Sequence, residues 1–280
     1  MITFYPELQL CRISRRIYNC YILNYNNDLP PIIIDAGIRS QTNSILQVLE
    51  TYRKGSGILT CTHFHVDHIS GMPSVFRRHP YPLEVRFHQL VKAYTAGKVQ
   101  HFPPTIKLLY VMLAVWVEQE PADKSKWDYL VDTFSGFIHL FGGVPYIVPK
   151  LPFPVTHWWS QPCPVPQTEG WEIVLTPGHS ADSLCFYHPQ KQALISGDTL
   201  LTTRNQGWFN PYHENAKAMK KTEEQLRQLP VHILFPGHGP VIEGDRLTQK
   251  AYSAFERVPG QSRYILRCLL PSRTPKKNLP

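Results

Sequence analysis

Three histidines and one aspartate lie within six positions of this chain, in the run Thr62-His63-Phe64-His65-Val66-Asp67-His68. Imidazole and carboxylate are donors that zinc and similar divalent cations take from proteins. His63 and His65 stand two residues apart, so an extended backbone aims both rings to one side. Asp67 and His68 follow as the chain turns toward Ile69-Ser70-Gly71. Four donors on one short loop are too many for a single catalytic ion with an open position, so the pattern points to two adjacent metals. The alternative is a polar loop with incidental histidines, in a chain that holds 13 of them.

Further donors recur downstream in one repeated context, an apolar run ending in a turn. His179 sits in Thr176-Pro177-Gly178-His179-Ser180, after the run 171–175. Asp198 sits in Ser196-Gly197-Asp198-Thr199, after Ala193-Leu194-Ile195. His238 sits in Phe235-Pro236-Gly237-His238-Gly239, after Val231-His232-Ile233-Leu234. Upstream, Ile32-Ile33-Ile34 leads into Asp35-Ala36-Gly37. These motifs, in this order, resemble the metallo-β-lactamase superfamily in its two-metal, glyoxalase II-like and lactonase-like branch. The resemblance covers most of residues 1–258.

The resemblance implies an α/β (α+β) fold, a four-layer αβ/βα sandwich with the metal site at one edge. It implies that His63, His65 and His179 hold one metal and Asp67, His68 and His238 the other, with Asp198 bridging them. The cofactors would be two divalent ions, zinc first and iron or manganese as alternatives. Such a pair lowers the pKa of a shared water, giving hydroxide at neutral pH. The implied activity is hydrolysis of a carboxylic ester-type bond, a thioester or lactone, with Asp67 also orienting the nucleophile. Asp35, Thr62 and Ser180 are expected behind the ligands, holding the imidazoles in place. For the substrate, Arg204 and His213 are candidates to meet an anion or assist a leaving group. The text after Asp198 is not a clear match to the glutathione-binding residues of typical glyoxalase II proteins.

The positioning elements follow from periodicity. Residues 11–15 and 18–23 alternate as strands, 32–34 is a short buried strand, and 57–61 is the strand that delivers the histidine loop. Residues 41–53 read as a helix, another opens at Gly71-Met72-Pro73-Ser74, and 83–87 reads as a strand. After 170, strands are expected at 171–175, 183–187, 192–195 and 231–235, and helices at 214–229 and 248–258. Residues 90–165 break the rhythm. They contain helical stretches at 105–119 and 124–141, a proline-rich run from Pro145 to Pro166, and many aromatics. The chain is therefore divided into a domain over 1–260 with a mainly helical insertion over 90–165, and a basic tail over 261–280. The insertion is expected to cover the metal site and to favour a partly apolar substrate.

With 280 residues and 42% hydrophobic content, the chain has material for one large globular domain. No apolar run reaches membrane-spanning length, and the N-terminus shows no basic leader with an apolar core. The six cysteines are scattered without a Cys-x-x-Cys pair, which fits a reducing, cytoplasmic setting. The formal net charge is +8, concentrated in the tail by Arg263, Arg267, Arg273, Lys276 and Lys277. That tail is a candidate for peripheral membrane contact, with a frayed terminus as the alternative. The partner expected at the site is a small molecule. The resemblance also disfavours nucleic acid, because nucleases of that superfamily carry large gripping insertions where this chain has only the short intervals from His179 to Asp198 and from Asp198 to His238. A single-iron persulfide dioxygenase and a phosphodiesterase remain the rival activities.

Overall fold

Alternating apolar residues in the N-terminal third do what period-two patterning dictates and build a sheet with two buried faces. In a computed structural model of the chain, which describes residues 1–15, 18–25, 28–52, 56–99, 151–203 and 206–256, this sheet has seven strands. They are β1 (Ile2–Tyr5), β2 (Leu10–Arg15), β3 (Tyr18–Leu23), β4 (Ile32–Ile34), β5 (Gly57–Thr60), β6 (Leu83–His88) and β7 (His157–Trp159), side by side in that order. The first four pair antiparallel, and β4 to β7 run parallel. A second sheet has five strands, in the order β14 (Ile242–Glu243), β13 (Ile233–Pro236), β10 (Ala193–Gly197), β9 (Leu184–His188) and β8 (Glu172–Leu175). Strands β11 (Leu200–Thr203) and β12 (Gln206–Phe209) form a separate hairpin.

The core has three apolar layers, so the molecule has four layers of structure. Between the sheets lie Leu10, Tyr21, Leu23, Ile34 and Ile58 from the first and Ile173, Phe186, Ile195 and Phe235 from the second. The other face of the first sheet, with Cys11, Ile13, Cys20, Ile22, Leu59 and Val85, packs on helices α1 (Thr42–Leu49), α3 (Met72–Arg78) and α4 (Leu90–Thr95). α1 contributes Ile45, Val48 and Leu49, the i, i+3, i+4 stripe of a half-buried helix. The outer face of the second sheet packs on Met219 and Leu226 of α5 (Ala216–Leu226). Asn215 caps α5, its side-chain oxygen accepting the Ala218 N–H at 3.0 Å. The expected helix–sheet–sheet–helix sandwich is what the chain forms.

Parallel pairing decides where the chemistry collects. β4 and β5 end together at Ile34 and Thr60, and β10 and β13 end together at Gly197 and Pro236. Each strand therefore releases its following loop at one edge of the sandwich. The donor-bearing turns after β5, β8, β10 and β13 meet there.

Several sequence expectations need correction. The stretch 90–165 is not wholly an insertion, because β7 completes the first sheet and Phe153, Trp159 and Val165 are buried in the main core. Proline-rich flanks hide this strand, which is made by pairing with β6. The helices expected at 105–119 and 124–141 and the tail at 261–280 lie outside the described residues. The helix expected at 248–258 is only α6 (Leu247–Lys250). Beyond it the backbone turns to pair with β12, the Tyr252 N–H donating to Gly207 O at 3.0 Å and Phe209 N–H to Tyr252 O at 2.9 Å. Buried Glu223 holds that turn, its Oε1 accepting the Ala254 N–H at 2.7 Å and the Ser253 hydroxyl at 3.0 Å. Glu223→Ala should therefore cost about 2–3 kcal/mol in urea unfolding, the range for charged hydrogen bonds whose partner stays buried. A change under about 0.5 kcal/mol would show that the turn holds without it.

Candidate metal centre

The loop after β5 bends at Thr62 and His63, stays extended at His65, and then forms the single helical turn α2 (Val66–Ile69). The bend at His63 and the extended backbone at His65 bring the first two imidazoles together, and the helical turn swings Asp67 and His68 in beside them. His63 Nε2 lies 2.8 Å from His65 Nδ1, which lies 3.1 Å from His179 Nε2. His68 Nε2 is 3.4 Å from Asp198 Oδ1, and His238 Nε2 is 3.2 Å from both Asp67 Oδ2 and Asp198 Oδ2. His179 Nε2 stands 3.7 Å from Asp198 Oδ2. Three overlapping groups converge: His63, His65 and His179; His63, His68 and Asp198; Asp67, His68 and His238.

Partners behind the rings settle which nitrogen faces the centre. Asp35 is fully buried and takes a left-handed backbone (φ +58°), which aspartate tolerates better than most residues. Its carboxylate accepts the Thr62 N–H at 2.8 Å and the Thr62 hydroxyl at 3.0 Å, and its Oδ2 lies 2.9 Å from His68 Nδ1. With its hydrogen spent on Asp35, Thr62 Oγ1 is an acceptor for His63 Nδ1–H at 3.2 Å. His179 Nδ1 donates to Tyr212 O at 2.7 Å. In all three rings the Nε2 lone pair is thereby turned inward.

Electrostatics divide the cluster. Burial, then the neighbouring His68 and His65, pushes His63 well below the ordinary imidazole range. Burial likewise lowers His179. Burial opposes charge on His68 too, but Asp35, Asp198 and Asp67 overcome it and lift His68 well above its usual value. His238 is lifted to about 10 by Asp198 and Asp67 against the same opposition. Asp67 would be raised by burial, yet His68 and His238 hold it at about 2. Asp198 is depressed by His238 and His68 in the same way.

These residues fit divalent metal. One His65 nitrogen sits within hydrogen-bond distance of two other imidazole nitrogens, and a single proton cannot serve all three. Among the described residues, buried His68 Nε2 and Asp198 Oδ1 face each other at 3.4 Å but make no hydrogen bond, an arrangement that a cation held by both would satisfy. Donor separations of 2.8–3.7 Å are those of atoms each about 2.0–2.2 Å from a shared ion.

The sequence matches the metallo-beta-lactamase superfamily over residues 13–238. The chain belongs to that superfamily. A stretch of 96 residues is 33% identical to an atrochrysone carboxyl ACP thioesterase of Aspergillus fumigatus, covering 34% of this chain and 28% of that protein. Another, of 54 residues, is 43% identical to a hydroxyacylglutathione hydrolase of Hydrogenovibrio crunogenus, covering 19% of each. The chain thus spans less than a third of the length of either relative. In fold it resembles the B3 metallo-beta-lactamase BLEG-1, at TM-score 0.51 and 21% identity over 84% of this chain and 93% of that one. A superfamily protein of Sulfolobus tokodaii aligns at TM-score 0.52 and 15% identity, over 93% and 94% of the two chains.

In this superfamily member the seven side chains named from the sequence lie together, and behind them Asp35 pairs with His68 and Thr62 with His63. Ser180 does not. Its hydroxyl pairs with Ser183 Oγ at 2.8 Å, and its carbonyl accepts the Gly178 N–H, so it shapes the turn that carries His179 instead of holding a ring. His213 stays out of the cluster and packs on Phe255, ring centres 5.1 Å apart. Arg204 lies outside the described residues.

Residues that the spacing did not disclose also shape the site. Asp182 Oδ2 accepts the Phe64 N–H at 2.7 Å, between His63 and His65. From the first sheet, Asn19 Nδ2 donates to Pro236 O and Gly239 O at 2.9 and 2.8 Å, and Tyr21 OH to Pro236 O at 2.6 Å, clamping the His238 turn. Gly237 has no room for a side chain: a Cβ would overlap Asp198 Oδ1 and stand 2.8 Å from His68 Cε1.

Asp35→Asn keeps the side-chain size and a residue that tolerates φ +58°, but offers one acceptor oxygen where the carboxylate offers two. It should weaken metal binding about 10–100-fold, as loss of an outer partner of a metal ligand does. Competition with a chromophoric chelator measures this, and unchanged affinity would show that His68 orients without it.

Proposed function

We propose that this chain is a binuclear metal-dependent hydrolase that opens a carboxylic ester-type bond, a thioester or lactone, in a small and partly apolar substrate. The observation that carries the reading is the geometry of Asp198, whose Oδ1 faces His68 while Oδ2 faces His238 and His179, so that one carboxylate serves both donor groups. When bound, two divalent ions there, zinc first among them, supply Lewis acidity and a nucleophile from water at neutral pH.

The chain's own groups do the rest. His63 and His179 are kept neutral by burial and present lone pairs. Asp67, with its pKa held at about 2, stays anionic and is the acceptor that orients the attacking water. The Cys20 and Cys61 thiols do not compete as nucleophiles, since burial pushes them well up and keeps them protonated. The relatives described as a thioesterase and a hydroxyacylglutathione hydrolase support an acyl-transfer reading. The aromatic content of residues 100–150 supports an apolar portion in the substrate. Among the described residues no helix is long and apolar enough to cross a membrane. On the scatter of its cysteines we also place the chain in a reducing compartment.

The test is a hydrolysis screen of the zinc-loaded protein against acyl thioesters of increasing chain length, lactones, β-lactams and phosphodiesters. Turnover of thioesters or lactones that rises with acyl length and disappears in His65→Ala is expected. Turnover confined to phosphodiesters would move the protein to nucleotide chemistry. One iron per chain with oxygen uptake on a persulfide would move it to the oxidoreductases.

A further inference from the structure

We propose that Asn210 is a positioning residue that ties the two halves of the metal centre together, fixing the ring state of His179 and the placement of Asp198 through one amide. This rests on the metallohydrolase reading above. Asn210 follows β12, is buried, and belongs to none of the donor groups. Its Nδ2 donates to the backbone carbonyl of Asp198 at 2.9 Å. Its Oδ1 accepts the Tyr212 N–H at 2.9 Å. These partners leave no ambiguity in the amide, because a carbonyl only accepts and a peptide N–H only donates.

The consequence reaches the first donor group through Tyr212. Its carbonyl, in the residue whose N–H Asn210 holds, lies 2.7 Å from His179 Nδ1, while Asn210 Nδ2 lies 3.1 Å from the same nitrogen. Nδ1 thus sits between an acceptor and a donor, and the shorter contact is to the acceptor. With the proton on Nδ1, the Nε2 lone pair faces His65 and Asp198. With the opposite tautomer, an Nε2–H would point into the donors and His179 could not ligate. Asn210 favours the useful state by holding the Tyr212 N–H, and with it the residue whose carbonyl accepts the hydrogen bond from Nδ1–H. The same side chain holds Asp198, whose carboxylate serves the other group, and the Asn210 N–H donates to Thr199 O at 3.1 Å independently of it.

The test compares Asn210→Ala and Asn210→Asp in the full chain, read by zinc competition with a chelator and by long-range ¹H–¹⁵N spectra of the histidine rings in chelator-treated protein. In wild type, His179 is expected as the Nδ1–H tautomer. Asn210→Ala should bind zinc about 10–100-fold more weakly and show His179 as a tautomer mixture. Asn210→Asp keeps an acceptor for Tyr212 but loses the donor to Asp198, so it should keep the tautomer yet still lose affinity. A general packing defect would not produce that split. Wild-type affinity with one unchanged tautomer in Asn210→Ala would overturn the proposal. If that variant does not fold, the isosteric Asn210→Asp and the wild-type spectrum decide, an Nε2–H tautomer in wild type being enough to refute it. Zinc binding without ester hydrolysis in wild type would defeat the hydrolase reading alone, leaving these readouts to judge Asn210.

Discussion

Replacing Asp198 with alanine is expected to reduce kcat/KM for the acyl substrate by about 10²–10⁴-fold, with the protein still folded. The magnitude follows from the several kcal/mol of charge stabilisation that a metal centre supplies, at 1.36 kcal/mol per tenfold in rate. Asp198 is the point of largest leverage because its carboxylate faces both donor groups, Oδ1 at 3.4 Å from His68 and Oδ2 at 3.2 Å from His238 and 3.7 Å from His179. Its loss removes a donor from both groups at once. The change should therefore appear twice, as lost turnover and as lower metal content. A variant that keeps wild-type turnover would mean that the two groups do not work as one centre.

The second large effect is on pH. In chelator-treated protein at neutral pH, His68 and His238 should carry protons, while His63 and His179 should not. Metal must displace a proton from each charged imidazole it binds. The group of Asp67, His68 and His238 should thus release about two protons on loading near pH 7, and its affinity should rise about 100-fold per pH unit there. The group of His63, His65 and His179 should load first. Calorimetric titration in buffers of different ionisation heat counts these protons, and a value near zero would contradict the assignment.

Stability of the metal-stripped protein carries the same signature. His238 is raised in the fold, so its contribution is complete below the unfolded value of 6.5 and is lost as pH rises through about 10. Asp67 is lowered, so its contribution is complete above 3.8 and is lost as pH falls through about 2. His63 and His179 are lowered imidazoles, so they cost stability below 6.5, where the unfolded chain takes up their protons. The metal-stripped protein should therefore be most stable at about pH 6.5.

Much of this centre was legible in the sequence because each donor follows an apolar strand whose end is marked by a turn. The runs before His63, His179, Asp198 and His238 became β5, β8, β10 and β13, and Asp35 closes β4. What was not legible depends on contacts distant in sequence. β7 is a strand because β6 lies beside it, and its own proline-rich setting argues against one. The hairpin of β11 and β12 has its register set by pairing that no short-range pattern announces. Ser180 lies next to a ligand in sequence yet spends its hydroxyl on Ser183, whereas Asn210, twelve positions beyond Asp198, bonds that residue's backbone directly. His213 was a candidate from residue type alone, and the structure places its ring against Phe255, outside the donor groups.

On the proposed reading, seven side chains from turns of both sheets hold two metal ions. Elemental analysis after equilibrium dialysis against zinc tests it most directly, comparing wild type with Asp198→Ala and His65→Ala. About two ions per wild-type chain, falling in both variants, is the expected result. Zinc content near zero in wild type, or content unchanged by either substitution, would contradict it.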